Sequence, residues 1–214
     1  MGNITFEKIL KVSEIIMNFL ILNIMWFSCT ALGLVFFGWA PSTVALLTIV
    51  RDKIMNKEDS DYNIIKYFWK VYRKEFIKAN ILGSAILILF IMVSINKMNF
   101  ELQTGVIFKL LTIISIIAKV IICTIPLYMF PLYVHYGMDL KQYFIKAITL
   151  FFGRPFVTCC IGLWTVLVLA IIRLMPGLIA IFGVSVYFYG IMAINYQFFM
   201  RNEERLKKTN EKIN

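Results

Sequence analysis

Lys119, in the run IISIIAKVIICTIPLYMFP, is the residue of this chain from which intramembrane chemistry would have to start. It stands near the middle of an apolar segment running from about Gly105 to Val134. At 1.5 Å per helical residue that is about 21–24 Å from either end. An ammonium held at such a depth costs about 2.5–3.5 kcal/mol on insertion scales. Apart from Asp52, among the charges that close the second segment, no carboxylate lies inside an apolar segment to neutralise it. The nearest oxygen donors in sequence are Ser115, one turn earlier, and Asn18 and Asn23 in the first apolar run. Two readings stay open. Either these groups share a wet cavity that attracts an anionic or hydroxyl-rich ligand, or Lys119 snorkels to headgroups or bonds carbonyls at a helix break. Pro126 and Pro131 follow, and each removes an intrahelical bond, freeing carbonyls near Ile122 and Leu127.

Other reactive groups are sparse. His135 is the lone histidine, at the end of the same segment, and is expected to be solvated. Walker, zinc-ligand and nucleophile-elbow spacings are all missing. Without intramembrane acids, carboxylate relays and aspartyl chemistry have no footing. Cys29, Cys123, Cys159 and Cys160 lie in apolar runs, form no CxxC pair, and read as buried reduced thiols that pack. The expectation is a protein without catalytic residues, metal or cofactor, and not an enzyme.

The elements that hold these residues are membrane helices. Of 214 residues, 60% are hydrophobic and only 16% are charged. Ile15 to Arg51 and Leu102 to Gly137 contain no acid. A spanning helix needs about 20 such residues. The fold expected is all-α, a polytopic transmembrane bundle and a single integral membrane domain over 1–214. Six embedded segments are read: about Ile15–Phe37, Pro41–Ile54, Ala79–Ser94, Gly105–Val134, Phe156–Ile172 and Gly177–Met200. They group into a first hairpin (1–54), an interfacial helix plus second hairpin (61–134), an interfacial helix plus third hairpin (139–200) and a tail (201–214). The N-terminal charges and the lack of a small-residue cleavage site suggest that the first span stays as an anchor. In FFGWAPSTVALLTIVRDK, Gly38 and Pro41 read as the turn of the first hairpin, Pro41 suiting a first helical turn. The second segment is short, about 21 Å, so a re-entrant half-span stays open.

The net charge of +10 follows the positive-inside pattern rather than a nucleic-acid footprint. Lys and Arg number eight in Arg51–Lys78, three in His135–Pro155, five from Arg201 onward and two before the first span. The loops around Lys97 and Arg173 carry one each. Both termini and the basic loops are therefore expected in the cytoplasm. In DYNIIKYFWKVYRKEFIK, Lys66, Lys70, Arg73, Lys74 and Lys78 recur at helical steps, with Ile65, Phe68, Tyr72 and Phe76 on another face. This reads as a helix lying in the headgroup layer, basic side to water and anionic headgroups. In DLKQYFIKAITLFFGRP the polar stripe is Asp139, Gln142, Lys146 and Thr149, and Tyr143, Ala147 and Phe151 are expected to face lipid. Tyr67-Phe68-x-Lys70 matches Tyr143-Phe144-x-Lys146, and FEKILKVSE is a shorter candidate copy, which suggests three units of helix plus hairpin.

GWAPSTVALLTIVRDK and YFWKVYRKEFIKANILG carry a resemblance. Gly38, Pro41, Thr43, Ala45 and Arg51, then Phe68, Trp69, Tyr72, Lys74, Glu75, Phe76, Lys78, Asn80 and Gly83, are similar to the YesL family of bacterial membrane proteins, a domain-of-unknown-function family. The resemblance implies a multi-span inner-membrane protein and, through the usual gene neighbours of such proteins, a connection with carbohydrate uptake. It brings no site residues. The function expected is a non-enzymatic accessory of carbohydrate uptake or sensing, partnered by the bilayer and by a membrane transporter or sensor. The alternative is a small transporter or channel with a polar path near Lys119. Engineered cysteines at Lys66 and Lys207 are expected to label only after permeabilisation of intact cells, and a cysteine at Gln103 before it.

Overall fold

The computed structural model describes residues 2–55 and 63–213, so the Asp61 at which the first interfacial helix was expected to begin lies outside the described residues. Its elements are α1 (Gly2–Leu32), α2 (Trp39–Ile54), α3 (Ile64–Glu101), α4 (Val106–Thr124), α5 (Pro126–His135), α6 (Leu140–Gly153), α7 (Pro155–Leu174), a π-helical turn (Ile179–Gly183) and α8 (Val184–Ile213). Five stretches among the described residues are long and apolar enough to cross a membrane: Val12–Leu32, Ile64–Glu101, Val106–His135, Pro155–Leu174 and Ile179–Glu204. Their perimeters carry exposed Ile, Leu, Val and Phe, the surface that a hydrocarbon solvent asks for.

The short helix α2 occupies the middle. Residues 40–47, 49 and 50 are buried along it, and it packs against α1, α3, α5 and α8. Its 16 residues make about 24 Å, less than the roughly 30 Å hydrocarbon core. Gly83 explains how near α3 comes, since a Cβ there would stand 2.6 Å from Ala40 Cβ and 3.0 Å from the Trp39 ring. Ala79, one turn before, is fully buried on the same seam, as a small-xxx-small pair requires. Because Gly83 stands at the midpoint of α3, α2 begins halfway along the bundle. The turn before it exposes Leu34, Val35, Phe36 and Phe37. These features favour the half-span reading of α2.

The turn differs from expectation in detail. Gly38 does not end α1 and is not left-handed: α1 stops at Leu32, and Gly38 precedes α2 at φ −92°. Leu34 and Val35 carry the positive φ values, 53° and 65°. Gly38 is needed for space, because a Cβ there would lie 2.3 Å from the Thr30 carbonyl oxygen. Pro41 sits in the first turn of α2 as expected, where its missing N–H leaves no bond unmade. Nor does α1 simply lie along α2. Within two turns Asn23 meets the π-helical turn, Trp26 bonds Thr43 of α2 at 3.1 Å, and the Cys29 carbonyl accepts from Tyr72 of α3 at 3.0 Å.

Two interfacial helices were expected to rest on lipid, and neither does so by its apolar face. The first is the start of the continuous 38-residue α3, with Phe68, Val71 and Tyr72 buried against protein. The second is α6, where Tyr143 and Ala147 are buried and Phe151 packs on the core. Apolar periodicity announces a buried face without naming what covers it. Of the cysteines only Cys29 is buried; Cys123 and Cys159 are exposed on the bundle's perimeter.

Breaks in the helices are repaired by side chains. At the π-helical turn, Asn23 Nδ2 donates to the carbonyls of Ile179 (3.2 Å) and Ala180 (2.5 Å). Its Oδ1 accepts from the backbone N–H of Val184 (3.1 Å) and Ser185 (3.3 Å). Pro126 separates α4 from α5, whereas Pro131 sits inside α5. The Leu127 carbonyl that Pro131 frees accepts from Asn195 Nδ2 at 3.1 Å. Gly190 lets α8 meet Trp164, whose Nε1 donates to the Tyr187 carbonyl at 3.0 Å. Replacing Asn23 by Leu strands the backbone groups of the π-helical turn. A loss of about 1–3 kcal/mol is expected, measured as a lower thermal midpoint in detergent with unchanged helical content.

Candidate functional site

The polar residues expected to meet around Lys119 are dispersed. Lys119 is half-buried, and its ammonium lies 5.7 Å from the centre of the Phe90 ring on α3. Ser115 donates to its own helix, at the Leu111 carbonyl (2.9 Å). Asn23 is spent on the π-helical turn, and Asn18 is half-buried on α1. Among the described residues no hydrogen bond or ring contact joins Lys119 to any of these three.

A cavity opens at the basic end of the bundle. It encloses about 800 Å³ between the C-terminal end of α2, the first half of α3, the end of α5 with its following loop, and α6. That volume suits a small ligand. Of the expected basic face, Lys74 and Lys78 line this cleft, while Lys66, Lys70 and Arg73 are exposed. Arg51 joins them from α2. The acids are Glu75 and Asp139, the amide is Gln142, and the rings are Tyr67, Tyr133, Tyr136 and Tyr143.

Each wall is fixed by a bond between elements. Arg51 pairs with Asp52 at 2.7 Å and donates through Nη1 to the Val134 carbonyl, tying α2 to the last turn of α5. A cation suits that position, where helix carbonyls lack partners. Tyr67 OH donates to the other Asp52 oxygen at 3.1 Å, bringing α3 into the same knot. Deeper in, Tyr133 OH donates to Glu75 Oε2 at 2.5 Å, and Lys74 stands 3.7 Å from the other oxygen. Tyr143 OH donates to the Tyr136 carbonyl (2.7 Å) and accepts from Met138 N–H (2.9 Å), closing the loop between α5 and α6. The Tyr133 and Tyr143 rings meet edge to face at 5.1 Å.

His135 is enclosed rather than solvated. Its ring stacks on Phe199 at 5.1 Å, and Nε2 lies 3.4 Å from Glu203 Oε1, which also accepts from Tyr136 OH at 2.9 Å. Burial, then the bond to Glu203, raises the pKa of the Tyr136 hydroxyl well above the ordinary tyrosine value, so it remains a donor across neutral pH. Sequence reasoning noticed Lys74, Lys78 and Glu75 but missed the tyrosines of YVHYG and the Arg-Asp pair that ends α2. The available signal was polar groups crowding the ends of apolar runs, where water begins.

A helical bundle with five membrane-length apolar helices and a polar cleft at its basic end defines a polytopic membrane protein. The chain belongs to the family described as "Protein of unknown function, DUF624", which matches residues 19–97. This stretch holds α2, the second half of α1 and most of α3. "Uncharacterized protein YesV" of Bacillus subtilis (strain 168) is 33% identical over 182 residues, covering 85% of this chain and 86% of that protein. "Uncharacterized protein YteU" of the same organism is 26% identical over 197 residues, covering 92% and 87%. "Uncharacterized protein YesL" is 25% identical over 197 residues, covering 90% of each. No solved structure matches. The resemblance drawn from GWAPSTVALLTIVRDK and its neighbour thus holds for most of the chain.

A double-mutant cycle on Tyr133→Phe and Glu75→Gln tests whether the cleft is held open by their bond. The expected coupling is about 1.5–3 kcal/mol, the range for hydrogen bonds to charged groups, read from unfolding midpoints in detergent.

Proposed function

We propose that this protein is a non-enzymatic accessory of carbohydrate uptake or sensing in the bacterial cell membrane. In this reading both termini and the basic end face the cytoplasm, and the cleft between α2, α3, α5 and α6 is the working site. The single observation that carries the reading is the lining of that cleft. Three cations and two carboxylates share it with one amide and four tyrosines. Near-balanced donors and acceptors suit a ligand dense in hydroxyl groups, which both give and accept hydrogen bonds. Tyrosine rings offer apolar faces to the C–H surface of a sugar ring, while their hydroxyls are bonded to protein partners. Sugar uptake itself enters through the family resemblance. Arg51 and Glu75 are engaged with protein partners, so the groups left to a ligand are Lys78, Gln142 and Asp139 with the exposed part of Lys74. No nucleophile with an adjacent base accompanies them, which favours binding over turnover.

The reading is tested by thermal unfolding of the detergent-solubilised protein with a panel of neutral mono- and oligosaccharides. One saccharide class is expected to stabilise the fold, by about 2.7 kcal/mol at a hundredfold excess over Kd. Gln142→Ala is expected to weaken that effect at least ~10-fold while leaving the ligand-free midpoint in place, since Gln142 is exposed. Absence of any saccharide effect on the unaltered protein would retire the proposal.

A further inference from the structure

A second cavity, of about 320 Å³, lies between the junction of α6 with α7 and the α8 segment that ends its apolar stretch. Arg154 and Arg201 line it together with Asn202, and Phe156, Val157 and Phe198 complete the wall. No carboxylate takes part in that lining. Neither guanidinium has an ion-pair partner among the described residues. Glu203, two residues beyond Arg201, is already bound by Tyr136 and placed beside His135. The Arg154 guanidinium is positioned by the Phe198 ring, 5.1 Å from its centre.

The height of this cavity is set by its flanks. Arg154 immediately precedes the spanning helix α7, and Arg201 lies in the last turn of the Ile179–Glu204 apolar stretch. Both therefore stand where hydrocarbon gives way to headgroups, at the basic end of the bundle. Phe156 is 79% exposed beside them, an apolar surface turned outward at the start of the span. Paired guanidinium groups over an apolar wall match a phosphate diester joined to acyl chains. Basic pockets between membrane helices take up anionic headgroups on this physical basis.

We propose that the Arg154–Arg201 cavity binds one anionic phospholipid, its phosphate between the two guanidinium groups and its acyl chains along Phe156 and Val157. The site is separate from the tyrosine-lined cleft and does not depend on what that cleft binds. The lipid would tie the α6–α7 junction to α8.

The test is native mass spectrometry of protein purified in mild detergent with an equimolar mixture of phosphatidylglycerol and phosphatidylcholine. The unaltered chain is expected to retain one phosphatidylglycerol through delipidation and to release phosphatidylcholine. Arg154→Gln with Arg201→Gln is expected to lower that retention at least ~10-fold. Lys66→Gln with Lys70→Gln, equally basic and exposed but outside the cavity, is expected to leave it unchanged. Equal retention by the arginine variant, or equal retention of phosphatidylcholine by the unaltered chain, overturns the proposal. So does displacement of the bound phosphatidylglycerol by millimolar inorganic phosphate, which would make the site one for a free anion. Should the double variant fail to fold, the single exposed Arg201→Gln change and the lipid preference of the unaltered chain decide the question.

Discussion

In hydrocarbon a backbone carbonyl or N–H without a partner has no water to turn to, and that constraint organises this bundle. Regular helices meet it by themselves. Three departures from regularity are met by a side chain from elsewhere in the chain. Asn23 of α1 supplies four bonds at the π-helical turn before α8. Asn195 of α8 supplies the donor for the Leu127 carbonyl. Arg51 of α2 supplies one at the end of α5. These repairs are also the long-range ties of the fold, because in each case donor and acceptor belong to different elements. A hydrophobic effect cannot do that work between helices already surrounded by lipid.

The central position of α2 follows from the same economy. A helix too short to cross cannot be solvated evenly by lipid and water, so it is best surrounded by protein. Small residues make that enclosure feasible. Ala40 and Ala45 are wholly buried, and Gly83 on α3 leaves room for Ala40 and Trp39. Its polar end, Arg51 and Asp52, then reaches the basic end of the bundle, where α3 and α5 close around it. The cleft thus opens where the polar end of the short central helix meets the start of α3, the end of α5 and α6.

Much of this was legible in the residues. Apolar run length identified the membrane class, although it read six embedded segments where five stretches are long enough to span, and Gly38 and Gly83 fell at real close approaches. The carbonyl freed by Pro131 was expected near Leu127 and is where Asn195 binds. What could not be read was the solvent of each apolar face. Phe68 and Tyr72, or Tyr143 and Ala147, show the same spacing whether lipid or protein lies against them. Exposure of Cys123 and Cys159 was missed for the converse reason, since a lipid-facing thiol and a packed one sit in identical sequence. The tyrosine-lined cleft was hidden because its parts come from four elements far apart in the chain.

Lys119 shows why the candidate site belongs at the basic end rather than at mid-bundle. An isolated ammonium there is tolerable without an acid, because the Phe90 ring of α3 faces its charge. A desolvated cation–π contact of about 2 kcal/mol approaches the 2.5–3.5 kcal/mol insertion cost. Stability is thereby restored, yet the lysine gains no companions with which to grip a ligand. A binding site needs donors and acceptors left free in the empty state, and free polar groups are tolerated only where water can occupy them. Lys78, Gln142 and Asp139 meet that condition on the cleft wall, beyond the last apolar turns. The physics that makes Asn23 and the amide N–H groups of Asn195 bond backbone inside the bundle therefore drives recognition chemistry to its rim.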